Sequence, residues 1–159
     1  MTLESLIKKN KFDWVNSDIV SKNFPSQGKV WNMCLVDFKK TVTTEEAIKL
    51  LEEQGYRPAT VYELLTWSQK NWNGKDLVVA LGSVWQNLYG NRFCPYLYRY
   101  GSERNLSLYW IDDDFSERCR FAAVRKSLDT PTLGTSEPLD PLVSISLPYS
   151  IVEALKKAL

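Results

Sequence analysis

The chain has 159 residues, of which 44% are hydrophobic and 13% aromatic, enough for one domain with a core that needs no disulfide staples. Its net charge of +1 gives no bulk attraction to nucleic acid. It contains no histidine, which removes the usual general base near neutral pH and the commonest zinc ligand.

Residues 1–10 predict a short amphipathic helix. It lacks the apolar run of a secretion signal, and nothing in the sequence approaches membrane-spanning length. A cytoplasmic location without membrane contact is therefore expected. Residues 11–29 read as a loop anchored by Phe12, Trp14 and Phe24, and Val30 to Phe38 as one strand. Two helices follow, each opened by a capping box: Thr43 with Glu46, and Thr60 with Glu63. Gly55 sits where the left-handed cap of the first belongs, Pro58 opens the second segment and Asn73-Gly74 closes it.

The remainder reads as strands. Leu77 to Trp85 is expected as one strand with Gly82 inside it, followed by a turn at Asn87 to Asn91. Arg92 to Tyr100 alternates apart from Pro95, which suggests an edge or a bulge. Gly101-Ser102 turns into a strand over residues 104–111, and Asp112 to Asp114 turns towards a closing strand from Arg118 to Arg125. Helices precede strands, so the fold class is α+β and not a doubly wound sheet. Four of the seven prolines fall after Ser127, at 131, 138, 141 and 148. They mark residues 128–141 as a stiff linker between a domain at 1–127 and a strand-helix tail at 142–159. The tail loosely resembles the start of ribbon-helix-helix proteins, without their second helix. Self-association through it, or a DNA-linked assembly role, is an alternative reading.

The Tyr-rich stretch from Leu81 to Arg125 carries the functional signal. In Arg104-Asn-Leu-Ser-Leu-Tyr-Trp110, alternation sends Leu106, Leu108 and Trp110 to one face and Asn105, Ser107 and Tyr109 to the other. The second face has the rigid aromatic and adaptable polar chemistry of a recognition surface. Three cysteines, Cys34, Cys94 and Cys119, are an odd count without CxxC spacing and read as reduced thiols. Cys34 is expected to be buried, and Cys119 could reach the surface. The acidic turn is expected to pair with Arg104, Arg118 or Arg120 in preference to holding calcium.

The runs Gly82-Ser-Val-Trp85, Arg104 to Trp110 and Arg120-Phe-Ala-Ala-Val-Arg125 together resemble the C-terminal part of C-type-lectin-fold proteins. More narrowly, they resemble the variable proteins diversified by retroelements that mutate adenines, beside the formylglycine-generating-enzyme branch of that fold. The resemblance implies a C-type lectin-like domain, two helices followed by a small twisted antiparallel β-sheet. It implies a scaffold carried by Trp85, Leu106, Leu108, Trp110, Phe121 and Arg125. It also implies ligand-binding positions at Tyr96, Tyr98, Tyr100, Asn105, Ser107, Tyr109, Ile111, Asp113, Phe115, Ser116, Glu117, Arg118 and Cys119, with Gln86, Tyr89 and Asn91 as upstream candidates. The expected partner is a protein ligand. No catalysis, cofactor or metal is expected, and nucleic acid is not an expected partner. The alternative on the same fold is an enzyme working through the thiol of Cys94 or Cys119.

Overall fold

The computed structural model describes residues 1–126, and the linker and tail expected at 128–141 and 142–159 lie outside the described residues. Helix α1 spans Leu3–Asn10, α2 Thr44–Glu53 and α3 Val61–Asn71. Both capping boxes form. Thr43 and Thr60 each accept from the backbone N–H three residues on, while Glu46 and Glu63 reach back to the cap N–H. Each cap is worth about 1 kcal/mol and fixes where its helix begins. Gly55 has φ +86, the left-handed conformation that ends α2. Among the described residues no helix is long and apolar enough to cross a membrane.

The strands are β1 Trp14–Val15, β2 Cys34–Val36, β3 Tyr56–Pro58, β4 Leu77–Val79, β5 Trp85–Gln86, β6 Arg92–Tyr100, β7 Glu103–Trp110 and β8 Cys119–Arg125. They form a mixed eight-stranded sheet along the path β1-β7-β6-β4-β8-β2, with β3 on β8 and β5 on β6. It is larger than the small antiparallel sheet expected, because β1, β2 and β3 join it, and it is mixed because β1 runs parallel to β7 and β4 parallel to β8. Phe121 pairs with Val36 on one side and Val79 on the other, and Ala123 with Cys34 and Pro58. Strands β3 and β4 therefore lie end to end along one edge of β8, with β2 along the other.

Side chains alternate between two cores. On one face, Leu3 and Leu6 of α1 and Leu64 and Leu65 of α3 pack on Val78, Leu97, Leu106, Ala122 and Val124. On the other, Ala47 and Leu51 of α2 pack on Val79, Cys94, Phe121 and Ala123. The period-2 alternation of a strand makes this possible: Val78 and Val79, or Phe121 and Ala122, face opposite ways.

Several local expectations change. Only Cys34–Val36 of the segment from Val30 to Phe38 is strand, and Cys34 is exposed, not buried. The 11–29 loop contributes β1, held by Asp13 N–H to Arg104 O and Asn16 N–H to Leu106 O. The expected strand from Leu77 to Trp85 is two, β4 and β5, separated at Gly82. There the chain passes so close to β3 that an added Cβ would lie 2.5 Å from Ala59 O. Gly82 N–H donates to that oxygen at 2.8 Å, and only glycine fits. Pro95 is neither at an edge nor in a bulge but buried within β6, opposite Leu108. Its carbonyl accepts from Ala80 N–H just past the end of β4, so its nitrogen faces that side and the ladder to β7 is complete.

Candidate functional site

Helix α2 covers only part of its face of the sheet. Beyond it, Tyr96 and Tyr98 of β6 and Tyr109 of β7 lie half-buried over an open groove of about 620 Å³. Its floor is aromatic because the register makes it so: Tyr96 lies opposite Ser107, and Cys94 opposite Tyr109. Tyr96 stacks on Tyr98 (centroids 5.1 Å, 19°) and meets Tyr109 edge-on (5.4 Å, 89°). The β7–β8 connection adds Ser116, Glu117 and Arg118, all exposed. The opposite wall comes from Asp37 after β2 and Lys75-Asp76 before β4.

Charges in this groove are partly spent on one another. Arg120 of β8 donates to Asp37 and lies 3.8 Å from Asp76. Arg99 Nε donates to Gly101 O at 2.6 Å, which ties the end of β6 to the turn after it. Tyr109 donates its hydroxyl to Asp114 O at 2.7 Å and so holds the acidic turn. Burial, then the neighbouring Tyr98 and Tyr109, pushes the Tyr96 phenol up to about 12. Burial and then Cys119 and Asp113 push Tyr109 up as well. Both rings stay neutral hydrogen-bond donors at physiological pH.

Six of the expected ligand-binding residues meet here: Tyr96, Tyr98, Tyr109, Ser116, Glu117 and Arg118. Ser107 lies next to them, half-buried opposite Tyr96. Tyr100 and Asp113 are exposed but away from the groove lining. Four others are core, not surface. Phe115 is 0% exposed, stacked on Tyr109 (4.6 Å, 23°) and edge-on to Phe121 (5.4 Å, 77°). Its backbone bridges to Val42, which pulls the connection inward. Ile111 and Cys119 are buried in the same cluster under α2. Asn105 is 2% exposed between Trp14 and Tyr98 in register, and its Oδ1 has no hydrogen-bond partner. Alternation sends it to the expected face, but there it is flanked on both sides, by β1 and by β6.

The expected scaffold divides too. Leu106 and Phe121 are fully buried, while Trp85 and Leu108 are partly buried against the α1/α3 core. Trp110 is 42% exposed, because it lies opposite Phe93 beyond the reach of α1 and α3. Arg125 is exposed and sits over the Tyr56 ring at 4.9 Å, donating to its hydroxyl. The acidic turn pairs differently than expected: Asp112 accepts from Arg92 at 3.1 Å. No cluster of three or more His, Cys, Asp or Glu among the described residues could hold a metal ion. Burial pushes the Cys94 thiol well above its ordinary range, and burial also raises Cys119.

Sequence reasoning missed Asp37, Lys75, Asp76, Arg99 and Arg120 as groove residues. Arg120 carried a signal as an expected acid partner. Asp37, Lys75 and Asp76 come from loops that only the β4–β8 and β2–β8 pairings bring together, and Arg99 sits near the end of β6.

A smaller recess of about 360 Å³ lies across α3, lined in part by Gln27, Lys29, Trp31 and Arg57. Its chemistry is already committed. Buried Glu63 accepts both Arg57 guanidinium nitrogens (2.9 and 2.8 Å) and the N–H groups of Thr60 and Trp31. Burial pushes the Glu63 carboxyl up, but these donors outweigh it and hold the group below its ordinary value. Ser83 accepts from Val61 N–H and donates to Gln27, closing the network. The recess is a hub that pins the first turn of α3 to β3 and to the Gly82 segment.

No family model matches the chain, and no curated protein and no solved structure is significantly similar to it.

Proposed function

We propose that this chain is a ligand-binding protein of C-type lectin fold, diversified by a retroelement at surface positions, and that it recognises a protein partner through the tyrosine-floored groove. One observation carries the reading. Six of the thirteen positions singled out by the family resemblance converge on one concavity, while Leu97 and Leu106, interleaved with such positions along β6 and β7, form the core behind it. Helices α2 and α3, with the short β3 between them, are followed by strands β4 to β8, the last of which pairs with β2; this run of the chain suits the helix-then-sheet order of that fold. A volume of about 620 Å³ falls in the range of real ligand sites, and aromatic rings beside short polar groups suit adaptable recognition.

The reading assigns no catalysis. A nucleophilic cysteine needs a lowered thiol pKa and access. Cys94 and Cys119 have raised values and are buried. The tail on which an assembly role would depend lies outside the described residues.

Sequencing this locus across many isolates tests the proposal. Differences are expected to concentrate at Tyr96, Tyr98, Ser107, Ser116, Glu117 and Arg118, sparing Asn105, Ile111, Phe115 and Cys119. A near-identical repeat differing only at adenines should lie beside a reverse transcriptase gene. Differences scattered evenly over core and groove would refute diversification.

A further inference from the structure

Resting on the groove reading above, we infer that the partner of this particular chain presents an acidic residue flanked by an apolar or aromatic one, as in an acidic polypeptide segment. The groove leaves more donors than acceptors unanswered. Asp37 and Asp76 are both engaged by Arg120, so those acids are answered from within the protein. Among the described residues, the Lys75 ammonium and the Arg118 guanidinium meet no acceptor. The hydroxyls of Tyr96 and Tyr98 likewise have no partner there, whereas Tyr109 has used its own on Asp114. Glu117 is the one lining carboxylate left without a cation.

Such a surface offers several donors and few acceptors. It is satisfied by carboxylate oxygens, which accept charge-assisted bonds from guanidinium, ammonium and phenol groups together. A continuous polyanion fits less well. Glu117 stands unpaired in the wall and would face one of its neighbouring phosphates or sulfates, and the whole chain carries only +1. The Tyr96–Tyr98 stack with Leu77 beside it gives a flat apolar platform next to the cations. An acidic side chain with an apolar neighbour meets both features at once; a diversified relative with other groove residues would select another partner.

The test is selection of a displayed library of random 12-residue peptides on the full chain, followed by titration of the selected peptides as synthetic probes. Enrichment of Asp and Glu is expected. Arg118→Glu or Lys75→Glu should weaken those peptides about tenfold or more, Glu117→Lys should tighten them, and added salt should weaken them. Melting temperatures of all three variants should match the parent, since each side chain is exposed. Neutral or basic peptides that lose binding in Tyr98→Ala would overturn this inference and leave the groove reading standing. Tyr98-dependent binding of a single-stranded oligonucleotide or a heparin fragment with no acidic peptide selected would overturn both this inference and the protein-partner reading. If no probe shows groove-dependent binding, or acidic peptides bind regardless of every groove substitution, both fail.

Discussion

Phe115 and Arg118 lie three residues apart in one connection, and the structure gives them opposite roles. Phe115→Ala removes a fully buried ring that contacts Tyr109 and Phe121 in a cluster also holding Val42, Ala47 and Leu51. Phe→Ala in a core costs about 3–5 kcal/mol, from lost apolar burial plus the cavity left behind. The two ring contacts, at about 0.5–1.5 kcal/mol each, place the value in the upper half of that range. Against a total stability of about 5–15 kcal/mol this is a large fraction, and for a domain of this size it lowers the melting temperature by roughly 10–20 °C. Arg118→Ala removes an exposed side chain and should stay within about 0.5 kcal/mol of the parent. Calorimetric melts of the full-length variants compare the two directly. If Phe115→Ala melted within about 2 °C of the parent, or Arg118→Ala fell as far as Phe115→Ala, the division of this connection into core and groove residues would be wrong.

Gly82→Ala should destabilise by about 1–3 kcal/mol through overpacking, since the methyl would meet backbone atoms of Ala59 and Pro58 at 2.5–2.7 Å; an unchanged denaturation midpoint would contradict that close approach. Glu63 has a folded pKa below its ordinary value of 4.5, so its stabilisation is present above that value and is lost as the pH falls through the lower folded pKa. Acid titration of stability should therefore be steeper for the parent than for Glu63→Gln in that window, and parallel curves would remove the network from the account. A thiol reagent should label Cys34 alone in the native protein and all three cysteines after unfolding. Rapid native labelling of Cys94 or Cys119 would restore the thiol-dependent alternative.

Local signals were legible wherever the determining groups lie close in sequence. Both capping boxes, the Gly55 cap, the Asn87–Asn91 turn, and strands β6 and β7 could be read directly, because a cap or a period-2 alternation is a property of a few consecutive residues. The α+β order followed from the same signals. What they could not supply was which neighbour covers each face. Asn105 and Tyr109 share a face of β7, yet only Asn105 is flanked by β1, through a parallel pairing with residues about ninety positions earlier. Phe115 looks like a turn residue until its bridge to Val42 draws it beneath α2. Likewise nothing near Lys75 or Asp37 in the chain announces a groove. Alternation decides which way a side chain points, and the amino acids themselves decide that. Whether it meets solvent, another ring or a buried salt link depends on long-range pairings, and only the assembled sheet made that choice.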